Sequence, residues 1–416
     1  MSALAVLSFA LLGVEPLTSE QAVELALKES PALRAVSQRV IEETAKGEVA
    51  TALENPQFRL QNLRSDRLLS PPITGQPYGL HPFANTSLAL RWTPPNPMVN
   101  SARHAAAGHL VNGADAEVEL ARRRVIARVR GLHATVLSLE RQLTLARTAV
   151  GLKAELAKLA AARVEQRAAT GLEESLAELD ELEAKAQAVE LLRKQREASA
   201  ALAVELGLPS DSQLELTGAP LPCLAPGVPP STLAERAVED DPSMRVHQSR
   251  ASALEDERGE ARLALVPWFD YLQLSYVLAS DSRPAYGALQ LGTTLPLFNW
   301  NGHRVDLLAA RGHREDEERE LARRTLVKDI ESTVAAIGEH AELLERYHSV
   351  EPKLLTQSRA QLDQALAAGA YSLSQVAQAQ GRSLAAQRAG LKAELECQLL
   401  VVELDRLIGS KMGGTP

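Results

Sequence analysis

The chain has 416 residues and a formal net charge of −8, with 45 Lys and Arg against 53 Asp and Glu. Aromatic residues make up only 3% of it, while Ala, Leu, Glu and Arg dominate, which is typical of long helices and coiled coils rather than of several compact globular domains. The acidic balance provides no basic surface, so the composition argues against nucleic acid as a partner.

The N-terminal segment, residues 1–13, is a candidate signal peptide. The apolar run at 3–12 has the length of a signal-peptide core and is too short to span a bilayer as a helix. No Lys or Arg precedes this run. Either the export signal is weak or the true start lies elsewhere.

The chain is internally duplicated. Pro31 and its flanking residues match Pro242 and its flanking residues, 211 positions later. Further along the spacing is 201 residues, as between Val136 and Ile337. A long unit that occurs twice predicts two structural repeats. These repeats cover residues 18–206 and 231–409.

Each repeat has the same predicted order of elements: a helix, two short strands, a very long helix, a small-residue turn and a returning helix. In the first repeat the elements cover 18–50, 56–64, 84–93, 100–168 and 172–206. In the second they cover 231–264, 267–278, 286–298, 301–367 and 372–408. Gly171 and Gly369 mark the two turns, with tips near 168–172 and 368–372. Pro and Gly crowd the linker 207–230, and 410–416 form a C-terminal tail.

The long helices carry a seven-residue hydrophobic period. Val125, Val129, Leu132 and Val136 alternate spacings of four and three, and Ile337 is the equivalent of Val136 in the second repeat. This period is the signature of helices wound around neighbouring helices. The sequence therefore predicts a coiled-coil hairpin in each repeat.

The predicted strands alternate in polarity and hold most of the aromatic residues. Of the 14 aromatic residues, 11 lie within 55–93 or 266–300. Leu272, Leu274 and Tyr276 share one strand face, opposite polar neighbours. This pattern, over about ten residues, is typical of an outer-membrane barrel strand, and the alternative is a half-buried hairpin in a soluble sheet. Lipid tolerates no open sheet edge and four strands cannot close a barrel, so a membrane position would require several chains.

The sequence resembles the TolC-like outer-membrane efflux protein family along nearly its whole length. The segments that carry the resemblance are LTSEQAVELALKESPALRAV, LPLFNWNGHR and the closing stretch that begins ALAAGAYSLSQVAQAQ. The resemblance implies a mainly α protein with membrane β-strands: long coiled-coil hairpins forming an α-barrel, and four strands per chain in a trimeric twelve-stranded outer-membrane β-barrel. It implies a homotrimer that acts as the passive exit duct of a tripartite efflux system. The duct would dock to a periplasmic adaptor and an inner-membrane pump, in the cell outer membrane with a large periplasmic portion.

The resemblance also implies functional surfaces at the periplasmic tips of the hairpins. The implied adaptor contacts are Gly171, Leu172, Gly369, Ala370 and Tyr371. Some family members have acidic residues at the pore entrance just after the second tip, where this chain has the neutral Gln375 and Gln378. The first tip is acidic instead, and Glu174 and Glu178, which share one helix face, are the candidate entrance residues. The alternative is that these acids form a solvated helix start favoured by the helix dipole.

No motif for catalysis, cofactor binding or metal binding is found. His104 and His109 lie five residues apart, which is not the spacing of a metal pair on a helix, and no phosphate loop or nucleophile elbow is present. The sequence therefore predicts no enzyme, no cofactor and no metal site. Cys223 and Cys397 fit no metal-binding spacing. Two unrelated thiols are expected, and a disulfide between them is the alternative.

Two other functions remain open at this stage. One is an outer-membrane channel for type I protein secretion, since no motif identifies the cargo as metal cation, drug or protein. The other is a soluble periplasmic coiled-coil scaffold or adaptor, in which the strands would form a small cap. An adaptor would be expected to have one hairpin flanked by β domains, whereas this chain predicts two hairpins in tandem.

Overall fold

The computed structural model of the chain describes residues 16–65, 83–278, 284–367 and 373–409. The chain divides into two compact units, and each unit draws on both repeats. The helical unit consists of Met1–Gln38, Ala116–Met244 and Leu321–Pro416. The sheet unit consists of Arg39–Asp115 and Arg245–Glu320.

Helices dominate the described residues, and the element order is the same in both repeats. The first repeat contains α1 (Ser19–Glu29), α2 (Pro31–Thr51), β1 (Gln57–Ser65), β2 (Phe83–Trp92), α3 (Pro97–Glu165) and α4 (Gly171–Glu205). The second contains α5 (Pro230–Asp240), α6 (Pro242–Leu263), β3 (Phe269–Val277), β4 (Tyr286–Thr293), α7 (Gly302–Ala367) and α8 (Leu373–Ile408). The predicted fold class, mainly α with four strands and an internal duplication, is confirmed. Among the described residues, no helix is both long enough and apolar enough to cross a membrane.

The opening helix of each repeat is broken at a proline, which the prediction of one continuous helix missed. α1 is followed by α2 at Pro31, and α5 is followed by α6 at Pro242. Proline suits the first position of a helix because it has no N–H and a fixed φ, but inside a helix it removes a backbone hydrogen bond. Asp241 caps α6, since its carboxylate accepts a 2.7 Å hydrogen bond from the backbone N–H of Ser243.

Polar caps also set where α1 and α3 begin. Thr18 and Gln21 form a reciprocal capping box at the start of α1. Before α3, the side-chain oxygen of Asn96 accepts a 3.0 Å hydrogen bond from the backbone N–H of Met98. Pro97 occupies the first position of α3, where its missing N–H costs no hydrogen bond.

The helical unit contains two hydrophobic clusters, one for each repeat. The first joins α1, α3 and α4 through Ala22, Val23, Ala26, Val125, Val129, Leu202 and Leu206. The second joins α5, α7 and α8 through residues that include Ala234, Ala237, Ile330, Ile337, Cys397 and Leu404. Val136 and Ile337, the equivalent seam positions, are 1% and 0% exposed. The predicted heptad register of the long helices is therefore confirmed.

A buried arginine connects the two repeats inside the helical unit. Arg130 of α3 is 8% exposed and contacts Glu20 of α1 at 3.0 Å and Asp405 of α8 at 3.4 Å. A buried charge is costly unless it is paired and hydrogen-bonded. Two carboxylates from separate helices satisfy the guanidinium, so this arginine specifies how α1, α3 and α8 meet.

The linker between the repeats is tied to the helices by backbone pairing and by a disulfide. The N–H of Leu17 donates to the carbonyl of Glu215 at 2.7 Å, and the N–H of Thr217 donates to the carbonyl of Leu17 at 3.1 Å. Cys223 forms a disulfide with Cys397 of α8, with a Cα–Cα distance of 5.8 Å. The expectation of two unrelated thiols was therefore wrong, because the fold brings together cysteines that are 174 residues apart.

The sheet unit is built on one four-stranded antiparallel sheet whose strand order follows the chain. The β2–β3 pairing joins the two repeats side by side. Glycine at position 292 of β4 leaves room for the ring of Tyr271 on β3, which would have to shift if a side chain were added there. The guanidinium of Arg91 lies 4.0 Å from the centre of the same ring.

The helices of the sheet unit meet at a buried glutamate. Glu260 of α6 is 8% exposed. It pairs with Arg103 of α3 at 3.0 Å and with Arg304 of α7 at 3.5 Å. The two arginines occupy equivalent positions in the repeats, so the carboxylate of Glu260 forms an ion pair with the same arginine position in each repeat.

Candidate functional surfaces

One face of the sheet is apolar and open. Directly paired residues form a row across all four strands, from Phe58 through Leu90 and Leu274 to Leu289. Their exposed fractions are 70%, 50%, 61% and 64% in that order. A globular sheet normally packs its apolar face on a core. This row has no such cover in the described chain, and an exposed apolar patch usually marks an interaction surface.

Adjacent rows extend the same face, hereafter the apolar sheet face. One neighbouring row contains Leu60, Leu88 and Tyr276, and the other contains Trp92, Leu272 and Leu291. Leu60, Tyr276 and Leu291 are 66%, 50% and 57% exposed. The face that alternation predicted for Leu272, Leu274 and Tyr276 is therefore continuous over four strands, and it is exposed.

The opposite face of the sheet is polar along its central row. One of its rows runs through Gln57, Arg91, Gln273 and Gln290. The amides of Gln273 and Gln290 are hydrogen-bonded at 3.1 Å. Because successive side chains of a strand alternate between faces, this polarity follows from the period of two in the sequence.

Both edges of the sheet are open in the described part of the chain. β1 pairs with β2 and β4 pairs with β3, so each outer strand has a strand neighbour on one side. The outward N–H and C=O groups of β1 and β4 can therefore pair with further strands. The segment Leu295–Trp300 that follows β4 is also exposed, with Phe298 at 98% and Trp300 at 66%.

The first helical tip reverses the chain through a left-handed arginine. Arg167 has a φ of 58°. The N–H groups of Arg167 and Ala168 donate to the carbonyls of Val164 and Arg163 at 3.0 and 2.8 Å. This is a Schellman turn, in which glycine usually holds the left-handed position. The expectation that Gly171 makes the turn is corrected, since Gly171 is the first residue of α4.

The acidic start of α4 is partly neutralised. The first turns of α4 contain five acidic residues, of which Asp180 forms an ion pair with Lys153, and Glu181 forms one with Lys185 at 2.6 Å. The other three have no ion-pair partner among the described residues. These three are Glu173, Glu174 and Glu178. Glu174 is half-buried and Glu178 is exposed.

An exposed apolar stripe runs along α4 from the same tip. Its members are Leu172, Leu176, Leu179, Leu182 and Val189, with exposed fractions of 68%, 54%, 61%, 60% and 67%. Spacings of three and four residues place most of them on one side of the helix. We call this surface the α4 stripe. Leu172, predicted as an adaptor contact, is its first residue.

The second tip is described in part. Gln375 and Gln378 are exposed in the first turns of α8. Gly369, Ala370 and Tyr371 lie outside the described residues, as do the candidate signal peptide 1–13 and the tail 410–416. The role of each tip residue remains a prediction.

His133 is a buried titratable group that sequence reasoning did not identify. It lies on α3, is 4% exposed, and its Nε2 is 3.1 Å from the carbonyl oxygen of Leu17. Burial lowers its pKa below the usual value, against the opposing effect of backbone hydrogen bonds with Leu17 and Thr217. Since the carbonyl can only accept, the neutral ring carries its proton on Nε2. The contact spans 116 residues, so no local pattern could reveal it.

Comparisons with known proteins agree with this architecture. Residues 233–410 match the family described as outer membrane efflux protein. A search of curated protein sequences finds no match. The resemblance inferred from the sequence is thus confirmed over the second repeat.

Solved structures share the fold over nearly the whole chain. The outer membrane protein VceC of Vibrio cholerae is 17% identical with a TM-score of 0.73, covering 94% of this chain and 96% of VceC. The outer membrane channel CmeC of Campylobacter jejuni is 16% identical with a TM-score of 0.75, covering 96% of this chain and 87% of CmeC. The outer membrane channel MtrE of Neisseria gonorrhoeae is 18% identical with a TM-score of 0.71, covering 95% of this chain and 89% of MtrE.

Proposed function

We propose that this protein, whose residues 233–410 match the outer membrane efflux protein family, is an outer-membrane channel that acts as the exit duct of a tripartite efflux system. Substrates would pass through it passively, from a periplasmic adaptor and an inner-membrane pump to the exterior. We infer no catalytic role, because structures that share the fold include outer-membrane channels.

The apolar sheet face is the observation that carries this proposal. The side chains of its central row are at least half exposed on all four strands, while the central row of the opposite face is polar. In water, such a face would be an aggregation hazard. In an outer-membrane barrel, one face of each strand meets lipid and the other faces the lumen. The exposed Phe298 and Trp300, just after β4, suit the interface between lipid and water.

The open sheet edges support an assembly of several chains, and the homotrimer is the assembly that the family resemblance implies. Unpaired N–H and C=O groups are too costly inside a bilayer, so a membrane sheet must close on itself. A sheet of four strands is too small to close alone, and small membrane barrels have eight or more strands. Three chains supplying β1 to β4 each would give a closed barrel of twelve strands. The edges of β1 and β4 would then pair with strands of neighbouring copies.

The α4 stripe supports the same assembly in the helical unit. Five large apolar side chains, each more than half exposed, lie along this helix. Coiled-coil helices bury such residues against a neighbouring helix. We assign a second copy of this chain as the occupant. The second copy would cover the stripe beyond its first residue, so that Gly171 and Leu172 at the tip would remain available to the adaptor.

The disulfide supports export of the helical unit. Structural disulfides persist in oxidising compartments such as the bacterial periplasm and are rare in the cytosol. Cys397 is fully buried and its bond to Cys223 fixes the linker on α8. A periplasmic position for this unit, with the sheet in the outer membrane, is consistent with both observations.

Membrane extraction followed by conductance measurement tests the proposal. The full chain should be found in the outer-membrane fraction, require detergent for extraction, and run as a trimer on a gel that dissociates on heating. Purified trimer in planar bilayers should give stepwise currents. A monomer that remains in the periplasmic extract without detergent would instead support a soluble scaffold. A trimer that extracts with detergent but conducts no current would refute the channel role alone.

A further inference from the structure

Three potential metal-ligating side chains converge within the sheet unit, where α6 lies against α7. His247 of α6 and Glu315 and Glu318 of α7 each offer one ligand atom, and these atoms all lie within 4.8 Å of one another. The two glutamates are three residues apart, which places them on one face of their helix. The Nδ1 of His247 lies 3.1 Å from a carboxylate oxygen of Glu315.

The burial of this cluster distinguishes it from a surface ion pair. The side chains of Glu315 and His247 are 6% and 18% exposed. A buried carboxylate needs a positive partner, because it has lost its hydration. Arg314 supplies part of this charge by contacting Glu315 at 3.4 Å and Glu318 at 3.5 Å. Its side chain is 65% exposed, so it can turn into solvent when a bound metal ion takes over the neutralisation of Glu315.

We propose that His247, Glu315 and Glu318 bind a divalent transition-metal ion of the zinc class. One imidazole nitrogen and two carboxylate oxygens are ligands that zinc and its neighbours accept. Tetrahedral ligands at about 2.1 Å from zinc lie roughly 3.4 Å from each other, which is close to the separation between His247 and Glu315. Glu318 is 46% exposed and can rotate toward them, and water completes the coordination.

The arrangement follows the way in which helix bundles hold metals. There, ligands three residues apart on one helix combine with a ligand from the facing helix. A metal at this position would cross-link α6 and α7 within the sheet unit. His247 and Glu315 are separated by 68 residues and form no local motif, so the sequence alone predicts no metal site here. The proposed site is independent of the channel function.

Calorimetric titration of the full chain with zinc tests the site. The protein, without a histidine tag and in detergent, would be stripped with a chelator and titrated with ZnCl₂. The wild type should bind one ion per chain. Glu318→Gln, at a half-exposed position, should weaken binding roughly tenfold or more, as should His247→Ala, because each substitution removes one ligand. Arg314→Gln should strengthen binding, because it removes the competing cation.

His109→Ala provides the matched control. His109 also contacts a carboxylate in this unit, with its Nε2 3.5 Å from Asp256, but the described residues provide no third ligand there. Zinc binding by this variant should equal that of the wild type. Cobalt bound to the wild type should show visible absorption that His247→Ala lacks. Wild type that takes up no zinc, unchanged binding in both His247→Ala and Glu318→Gln, or loss of binding in His109→Ala would overturn the proposal.

Discussion

Leu274 is central to the apolar sheet face, since it pairs with Leu90 on one side and Leu289 on the other. Its side chain is 61% exposed. If the sheet lies in lipid, Leu274→Arg places a charge in hydrocarbon, which costs about 2–4 kcal/mol near the bilayer midplane. We expect less trimer in outer-membrane fractions, measured on unheated gels.

The neighbouring residue of the same strand provides the control for this substitution. Gln273 lies on the polar face, where a charge stays in water, so Gln273→Arg should cost only the modest repulsion from its cross-strand neighbour Arg91 and assemble far better than Leu274→Arg. Leu274→Arg that assembles as well as Gln273→Arg would contradict the assignment of the apolar sheet face to lipid.

His133 makes the stability of the helical unit depend on pH. Burial lowers its pKa below the ordinary histidine value of about 6.5, so the unfolded chain binds a proton more readily than the folded chain does. The free energy of unfolding contributed by this group is therefore fully present above pH 6.5 and is lost as the pH falls toward the folded pKa. The melting temperature should therefore decrease as the pH is lowered from 7.5 to 5.5.

His133→Gln retains a donor for the carbonyl of Leu17 without titrating in this range. We expect its melting temperature to change less with pH than that of the wild type. Parallel pH profiles for the two proteins would show that another group controls the acid dependence.

The long helices depend on their heptad seams, and Ile337 of α7 is fully buried in the cluster with α5 and α8. Ile337→Asp would place an unpaired charge in this cluster, which should cost about 3–5 kcal/mol. Thermal melting followed by circular dichroism measures the loss. Ala335→Asp adds the same charge at an exposed position of the same helix and should melt near the wild-type temperature. Equal melting of the two variants would contradict the register of α7.

The first turns of α4 present carboxylates that have no described counter-ion, and Glu174 and Glu178 lie on one face of that helix. In a trimer with this tip at the pore entrance, three copies would attract cations. Single-channel recordings should show cation preference and partial block by multivalent cations. The double variant Glu174→Gln and Glu178→Gln should lose both. Glu183→Gln, further along α4, is the control and should retain both the cation preference and the block. Unchanged selectivity in the double variant would indicate that Glu174 and Glu178 lie on a solvated surface away from the pore.

At the level of the whole molecule, one covalent bond fixes the linker between the repeats. The disulfide closes a loop of 174 residues, and such bonds typically contribute about 2–4 kcal/mol. Cys223→Ala breaks it while leaving Cys397 as a small apolar side chain in the core. We expect a lower melting temperature and faster protease cleavage within residues 207–230.

Reduction of the wild type should reproduce both effects, whereas the reductant should not change Cys223→Ala further. Wild type and variant that melt together and are cleaved at equal rates would show that non-covalent contacts alone hold the linker.

The sequence by itself determined the features that depend on periodicity. A period of two located the two faces of the strands, a period of seven located Val136 and Ile337 in buried seams, and the duplication gave the order of the elements. These features are predictable because side-chain direction repeats with the local backbone geometry. The acidic start of α4 was also visible in the sequence. Lys185 is four residues from Glu181, which is a local helical spacing, whereas the pairing of Asp180 with Lys153 depends on the tertiary structure.

Only the tertiary structure decided which distant residues meet. The Cys223–Cys397 disulfide, the contacts of Arg130 with Glu20 and Asp405, and the contact of His133 with Leu17 each join residues more than 100 positions apart. The hydrophobic period of a segment does not predict such pairs. It indicates which face of a helix or strand is buried, but not which other element packs against that face. The left-handed conformation of Arg167 could not be predicted from the sequence either. Glycine is the usual residue at that position of a helix end, and an arginine there does not indicate a turn.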